Sequence, residues 1–82
     1  MRDETDQRRF LVVIGESADR LTDDPDVMIL DRLDRVVLLE TSYWTAVQIR
    51  HRSDVTTHCY ERQEDARRVF GLFQHVASRR TP

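Results

Sequence analysis

The chain contains no lysine and no asparagine, and all thirteen of its basic side chains are arginine. The missing lysine removes the phosphate-binding lysine of a P-loop, Schiff-base chemistry and any catalytic lysine. Only two glycines are present, so no glycine-rich phosphate loop can be assembled. Gly15-Glu16-Ser17 runs on into Ala18-Asp19, which leaves the Gly-x-Ser-x-Gly nucleophile elbow incomplete. The lone cysteine, Cys59, excludes a disulfide within these residues and fits a reducing compartment. No Cys-x-x-Cys pair or histidine-rich tract offers a structural zinc site. The longest uninterrupted apolar run covers residues 10–14, far short of the roughly 20 residues that span a bilayer. The first nine residues, MRDETDQRR, are too charged for a signal peptide. These absences lead us to expect a soluble, cytoplasmic protein with no cofactor and no membrane partner.

What is present is short and strongly charged. The 82 residues suit one small domain over 1–82, since halves of this length could not each bury a core. Such a domain buries only about 60% of its unfolded surface, and small domains commonly lean on disulfides, metals or oligomerisation. With the first two unsupported, self-association is the expected remedy, by elimination. The net charge of −2 favours no polyanionic partner. Its distribution is uneven: residues 16–34 hold seven acids and two arginines, whereas residues 50–80 hold seven arginines and four acids.

The clearest element is the last. Ala66, Val69, Phe70, Phe73, Val76 and Ala77 recur at helical spacing, with Leu72 widening the stripe. Glu64 and Asp65 in the first turn and Arg79 and Arg80 in the last complement the helix dipole. Glu64 stands four residues before Arg68, the favourable order for a side-chain pair. Residues 43–52 and 55–62 read as two strands joined by Ser53-Asp54, a compact turn without the usual glycine. That hairpin would set Ile49 opposite His58 and Val47 opposite Tyr60 on the face beneath the helix. Trp44, Ala46, Gln48 and Arg50 would lie on the other, open face. Residues 35–41 read as a buried strand. Residues 27–30 fit a strand, or a first helical turn after Asp24-Pro25. Residues 9–14 read as a strand ending at Gly15, although Phe10, Ile14, Ala18 and Leu21 also fit one helical face. The acidic stretch after Gly15 is then a connector. The expected fold is α+β: an antiparallel sheet of three or four strands with the C-terminal helix packed on one face.

The stretch VQIRHRSDVTTHCYE, residues 47–61, crowds two histidines and the cysteine into one line of text. Adjacent strand residues point to opposite faces, so His58 and Cys59 could not grip one ion together. His51 and His58 could share a face, but two imidazoles are an incomplete zinc shell. Cys59 as a nucleophile would need a base, and its expected neighbours are Gln48 and Glu61; the carboxylate disfavours the thiolate. Asp23, Asp24 and Asp26 lack the alternating acids, central glycine and closing glutamate of a calcium loop. An acidic patch for a basic protein partner suits them better.

The reading that follows is a non-enzymatic protein-interaction or regulatory module that associates with itself. Its expected contact residues are Trp44, Gln48, Arg50 and Arg52 on the open sheet face, with Asp23, Asp24 and Asp26 as an acidic patch. A second copy would cover the exposed Trp44 ring. The alternative is nucleic-acid binding by the same face, with Arg68, His75 and Arg79 as a second basic line; Glu61 and the net charge oppose it.

Overall fold

The computed structural model describes residues 7–80, and the side chains of all of these but 19, 22 and 75–80. Strand β1 is Arg8–Ile14, followed by a 3-10 helix over Glu16–Asp23, strand β2 (Met28–Leu33), strand β3 (Val36–Ser42) and helix α1 (Tyr43–Arg50). Strand β4 (Thr56–Tyr60) and helix α2 (Gln63–Arg80) complete the described chain. The four strands form one antiparallel sheet in the order β2-β3-β1-β4.

The two inner strands explain the rest. Leu11, Val12 and Val13 of β1 and Val37, Leu38 and Leu39 of β3 are wholly buried, which requires cover on both sheet faces. Leu11, Val13, Val37 and Leu39 pack on Ala46 and Ile49 of α1 and on Ala18 and Leu21 of the 3-10 helix. Val12, Val36 and Leu38 pack on Ala66 and Phe70 of α2, with Phe10, Tyr60, Val69 and Phe73 around them. The molecule is therefore three layers, α+β in class, with the C-terminal helix across one face as its stripe required. The spacing of that stripe held for Ala66 and Phe70, but Leu72 stands 63% exposed rather than widening it. Glu64 meets Arg62 at 3.7 Å instead of Arg68. Val76 and Ala77 lie outside the described side chains.

Residues 43–52 overturn the expected hairpin. They begin a helix because Ser42, ending β3, takes the N-cap: its hydroxyl accepts the Thr45 N–H at 3.4 Å. Ala46 and Ile49, three apart, then face the same way and both are buried, which a strand's two-residue period would forbid. With its supposed partner helical, β4 pairs with β1 instead, setting Phe10 against Tyr60 and Val12 against His58. The expected opposition of Ile49 to His58 and Val47 to Tyr60 does not exist, and among the described residues both sheet faces carry a helix.

Of residues 27–30, Met28 onward resolves as strand, the start of β2, with Val27 just before it. The acidic connector is a 3-10 helix whose Ala18 and Leu21 are buried. Gly15 opens that helix with φ of 148°, and a Cβ there would come 3.0 Å from the Asp54 carbonyl oxygen. A side chain would be strained by the backbone angle and blocked by a neighbouring chain segment.

Candidate interaction face on the first helix

Helix α1 carries on its solvent side most of the residues expected on the open sheet face. Trp44, Val47, Gln48 and His51 follow the spacing i, i+3, i+4, i+7, one outward stripe. Trp44 is 55% exposed, Gln48 and His51 are exposed, and Val47 is half-buried. The indole meets the Tyr43 ring edge-on, with centroids 6.2 Å apart and planes at 72°. Tyr43 is in turn held from β1, where the Arg9 guanidinium lies 5.3 Å from its ring centroid. Trp44 is thus braced on one side and open on the other.

Grooves flank the helix, two of them larger than a third beside Val47, Arg50 and His51. One, of about 340 Å³, lies between α1 and the 3-10 helix, with Leu21, Val27 and Ile49 as its apolar lining and Arg20, Asp24, Gln48 and Arg52 among its polar residues. The other, of about 320 Å³, is lined by Arg50 and by Thr57, His58, Cys59 and Tyr60 of β4. Arg50 and Arg52 therefore serve different grooves. Arg52 is engaged already: Nε and Nη2 donate to the Asp54 carboxylate at 3.0 and 2.7 Å. That fork holds the Asp54 carboxyl down at about 2.

The three aspartates differ in setting. Asp23 is exposed, but Asp24 is half-buried and its Oδ1 accepts the Asp26 N–H at 2.9 Å. Asp26 is built into the interior edge of the fold. Its Oδ2 accepts from the Ser42 hydroxyl, from the Ser42 N–H at 3.2 Å and from the Thr41 hydroxyl at 3.0 Å. Its Oδ1 accepts from Arg8 Nη1 at 3.2 Å, while Arg8 Nε reaches Glu40 at 3.0 Å. Of the expected acidic surface, Asp26 is thus committed to donors within the fold, while Asp23 stands exposed. The sequence carried a weak sign of the network in Thr41-Ser42, two short hydroxyls closing a strand.

The histidine–cysteine stretch is dispersed by the same folding. His51 caps the end of α1, whereas His58 and Cys59 sit on β4. Cys59 packs toward the α1 side of the sheet, and His58, paired with Val12, lies on the α2 side. Among the described residues no three His, Cys, Asp or Glu side chains are grouped so as to hold a metal ion. Burial pushes the Cys59 thiol up, with Glu61 adding to the rise and Arg50 and Arg9 opposing it. The expected carboxylate acts in the direction foreseen, and burial is the larger cause. Arg68 is exposed on α2, and the side chains of His75 and Arg79 lie outside those described.

Reading residues 43–52 as a strand hid Val47 and His51 as members of the Trp44 stripe, because alternation assigns 44 and 47 to opposite faces. Exposed Met28 on β2 and Leu72 on α2 were likewise missed. Among the described residues, no helix is long and apolar enough to cross a membrane. Comparison with protein-family models, curated proteins and solved structures finds no match for the chain.

Proposed function

We propose that the protein is a small non-enzymatic interaction or regulatory module that works through protein–protein contact, self-association included. The outward face of α1, centred on Trp44, is the surface a partner covers. The observation that carries this is a tryptophan 55% exposed on a helix whose inward residues are already buried. Tryptophan and arginine are the side chains most enriched at binding hot spots. Here Trp44 shares its helix stripe with half-buried Val47 and exposed Gln48, and Arg50 stands beside Val47, an apolar centre with a polar rim.

The alternative is a nucleic-acid contact through the same helix, favoured by Trp44, Gln48 and Arg50 all standing exposed on α1. The commitment of Arg52 to Asp54 and the net charge of −2 weigh against it. A photo-reactive amino acid at position 48 separates the two in the native host. We expect discrete protein adducts that Trp44→Ala abolishes while leaving the circular dichroism unchanged. Adducts with nucleic acid would transfer the face to the alternative. Absence of any adduct that depends on Trp44 would overturn the assignment.

A further inference from the structure

The two edges of the sheet are not equivalent. The Tyr43 N–H donates to the Gln7 carbonyl at 3.1 Å and the Gly15 N–H to the Arg35 carbonyl at 2.9 Å. Odd-numbered residues of β1 therefore turn their main-chain groups toward β3, and Phe10, Val12 and Ile14 turn theirs toward β4. Their register partners are Tyr60, His58 and Thr56. Thr57 and Cys59, between them, direct N–H and C=O away from the sheet.

Strand β2, the opposite edge, is guarded. A register shift falls between Ile29 and Asp31, charged Asp31 and Arg32 stand on the strand, and Asp31 Oδ1 accepts the Arg32 N–H at 2.8 Å. Irregularity and charge are the usual ways an edge is kept from pairing. Strand β4 has neither. Its residues Thr-Thr-His-Cys-Tyr carry no acid, arginine, proline or register shift. Among the described residues nothing accepts from the outward N–H groups of Thr57 and Cys59, and an open groove runs beside them under Arg50. The Thr57 hydroxyl is also buried without a partner.

We propose that β4 is a self-association edge, on which two copies pair antiparallel about a two-fold axis at His58 to continue the sheet through both molecules. The occupant is a second copy because the edge is self-complementary. The two outward residues flank His58 symmetrically, so Thr57 of each copy meets Cys59 of the other and both exchange N–H···O=C bonds. The same register brings Arg62 of one copy to the end where the other carries Asp54, opposite charges, and sets no like-charged carboxylate or arginine pair along the strand. This goes beyond the Trp44 surface, and the two fail separately because Trp44→Ala and Thr57→Pro alter different elements, α1 and β4.

Analytical ultracentrifugation tests it. The wild-type protein should sediment with twice the chain mass of 9.8 kDa as concentration rises. Thr57→Pro removes one outward donor without touching the bonds to β1, a substitution edge strands tolerate, and should leave a monomer with unchanged circular dichroism. Should that variant fail to fold, His58→Cys in a Cys59→Ser background replaces it. Antiparallel partners at a non-hydrogen-bonded position have Cα atoms about 4.5 Å apart, within disulfide reach. Mild oxidation should therefore link His58→Cys chains into dimers, while Arg32→Cys in the same background stays single. A wild-type chain that remains monomeric at several hundred micromolar would overturn the proposal. So would a dimer that Trp44→Ala dissolves and Thr57→Pro does not, or a His58→Cys variant that fails to link.

Discussion

Asp26 does more for the fold than its place in an acidic run suggests. One carboxylate takes donors from Arg8 on β1, from Thr41 and Ser42 ending β3, and lies beside Thr45 on α1. It thereby fixes where β3 stops and the helix starts. The Ser42 hydroxyl first, then those of Thr45 and Thr41, hold its carboxyl well below the usual carboxylate range, against the opposing effect of burial. A carboxyl depressed in the folded state contributes stability that is complete above its unfolded pKa, about 3.9, and is lost as pH falls toward the folded value. Asp26→Asn keeps the shape but removes the charge these donors are arranged around. We expect a loss of roughly 2 kcal/mol in urea unfolding at pH 7. The gap between wild type and variant should then narrow steadily below about pH 4. A constant gap across that range would mean the network acts through packing and not through charge.

At the scale of elements, α1 gives the sharpest comparison. In a strand, Val47 and Ile49 would share a face; in the helix, Ile49 is 4% exposed and Val47 is only half-buried on the outward stripe. Ile49→Ala should therefore cost about 2–4 kcal/mol, and Val47→Ala less than about 1 kcal/mol. Similar losses for both would favour the strand. The strands β3 and β4 and the helix α2 were legible because each carries one clear signal, a buried apolar block, a β-branched run or a 3.6-residue stripe, whereas the β-branched run of β1 competed with a helical spacing from Phe10 to Leu21. Helix α1 was not, since Tyr-Trp-Thr-Ala-Val-Gln-Ile combines strand-forming side chains with the alternation a strand would show. Its true markers were slight, a serine in the N-cap position and the three-residue step from Ala46 to Ile49. The same step, Ala18 to Leu21, marked the 3-10 helix. Of the site, Trp44, Gln48 and Arg50 could be named from residue type alone, because large or charged side chains rarely vanish into so small a core. Their shared surface could not be named, since it depends on the period of the backbone that carries them.

For the molecule as a whole, a sheet buried on both faces leaves its two edges as the sites where main-chain hydrogen bonding stays incomplete. One is guarded by its irregular register and charges, and the other is not. A chain of this size has little stability to spare, so an assembly that binds only folded protein should be visible in its melting behaviour. At a concentration about 100 times the dissociation constant, mass action adds roughly 2.7 kcal/mol to the folded state. In a domain this small each kilocalorie moves the midpoint by about 4–8 °C, so the rise should reach some ten degrees or more. Calorimetric melts over a hundredfold range of protein concentration should thus climb for the wild type and for Trp44→Ala alike. They should stay flat for Thr57→Pro, whose own folded state keeps every bond between β4 and β1. A wild-type midpoint independent of concentration would leave β4 an edge protected only by its shortness.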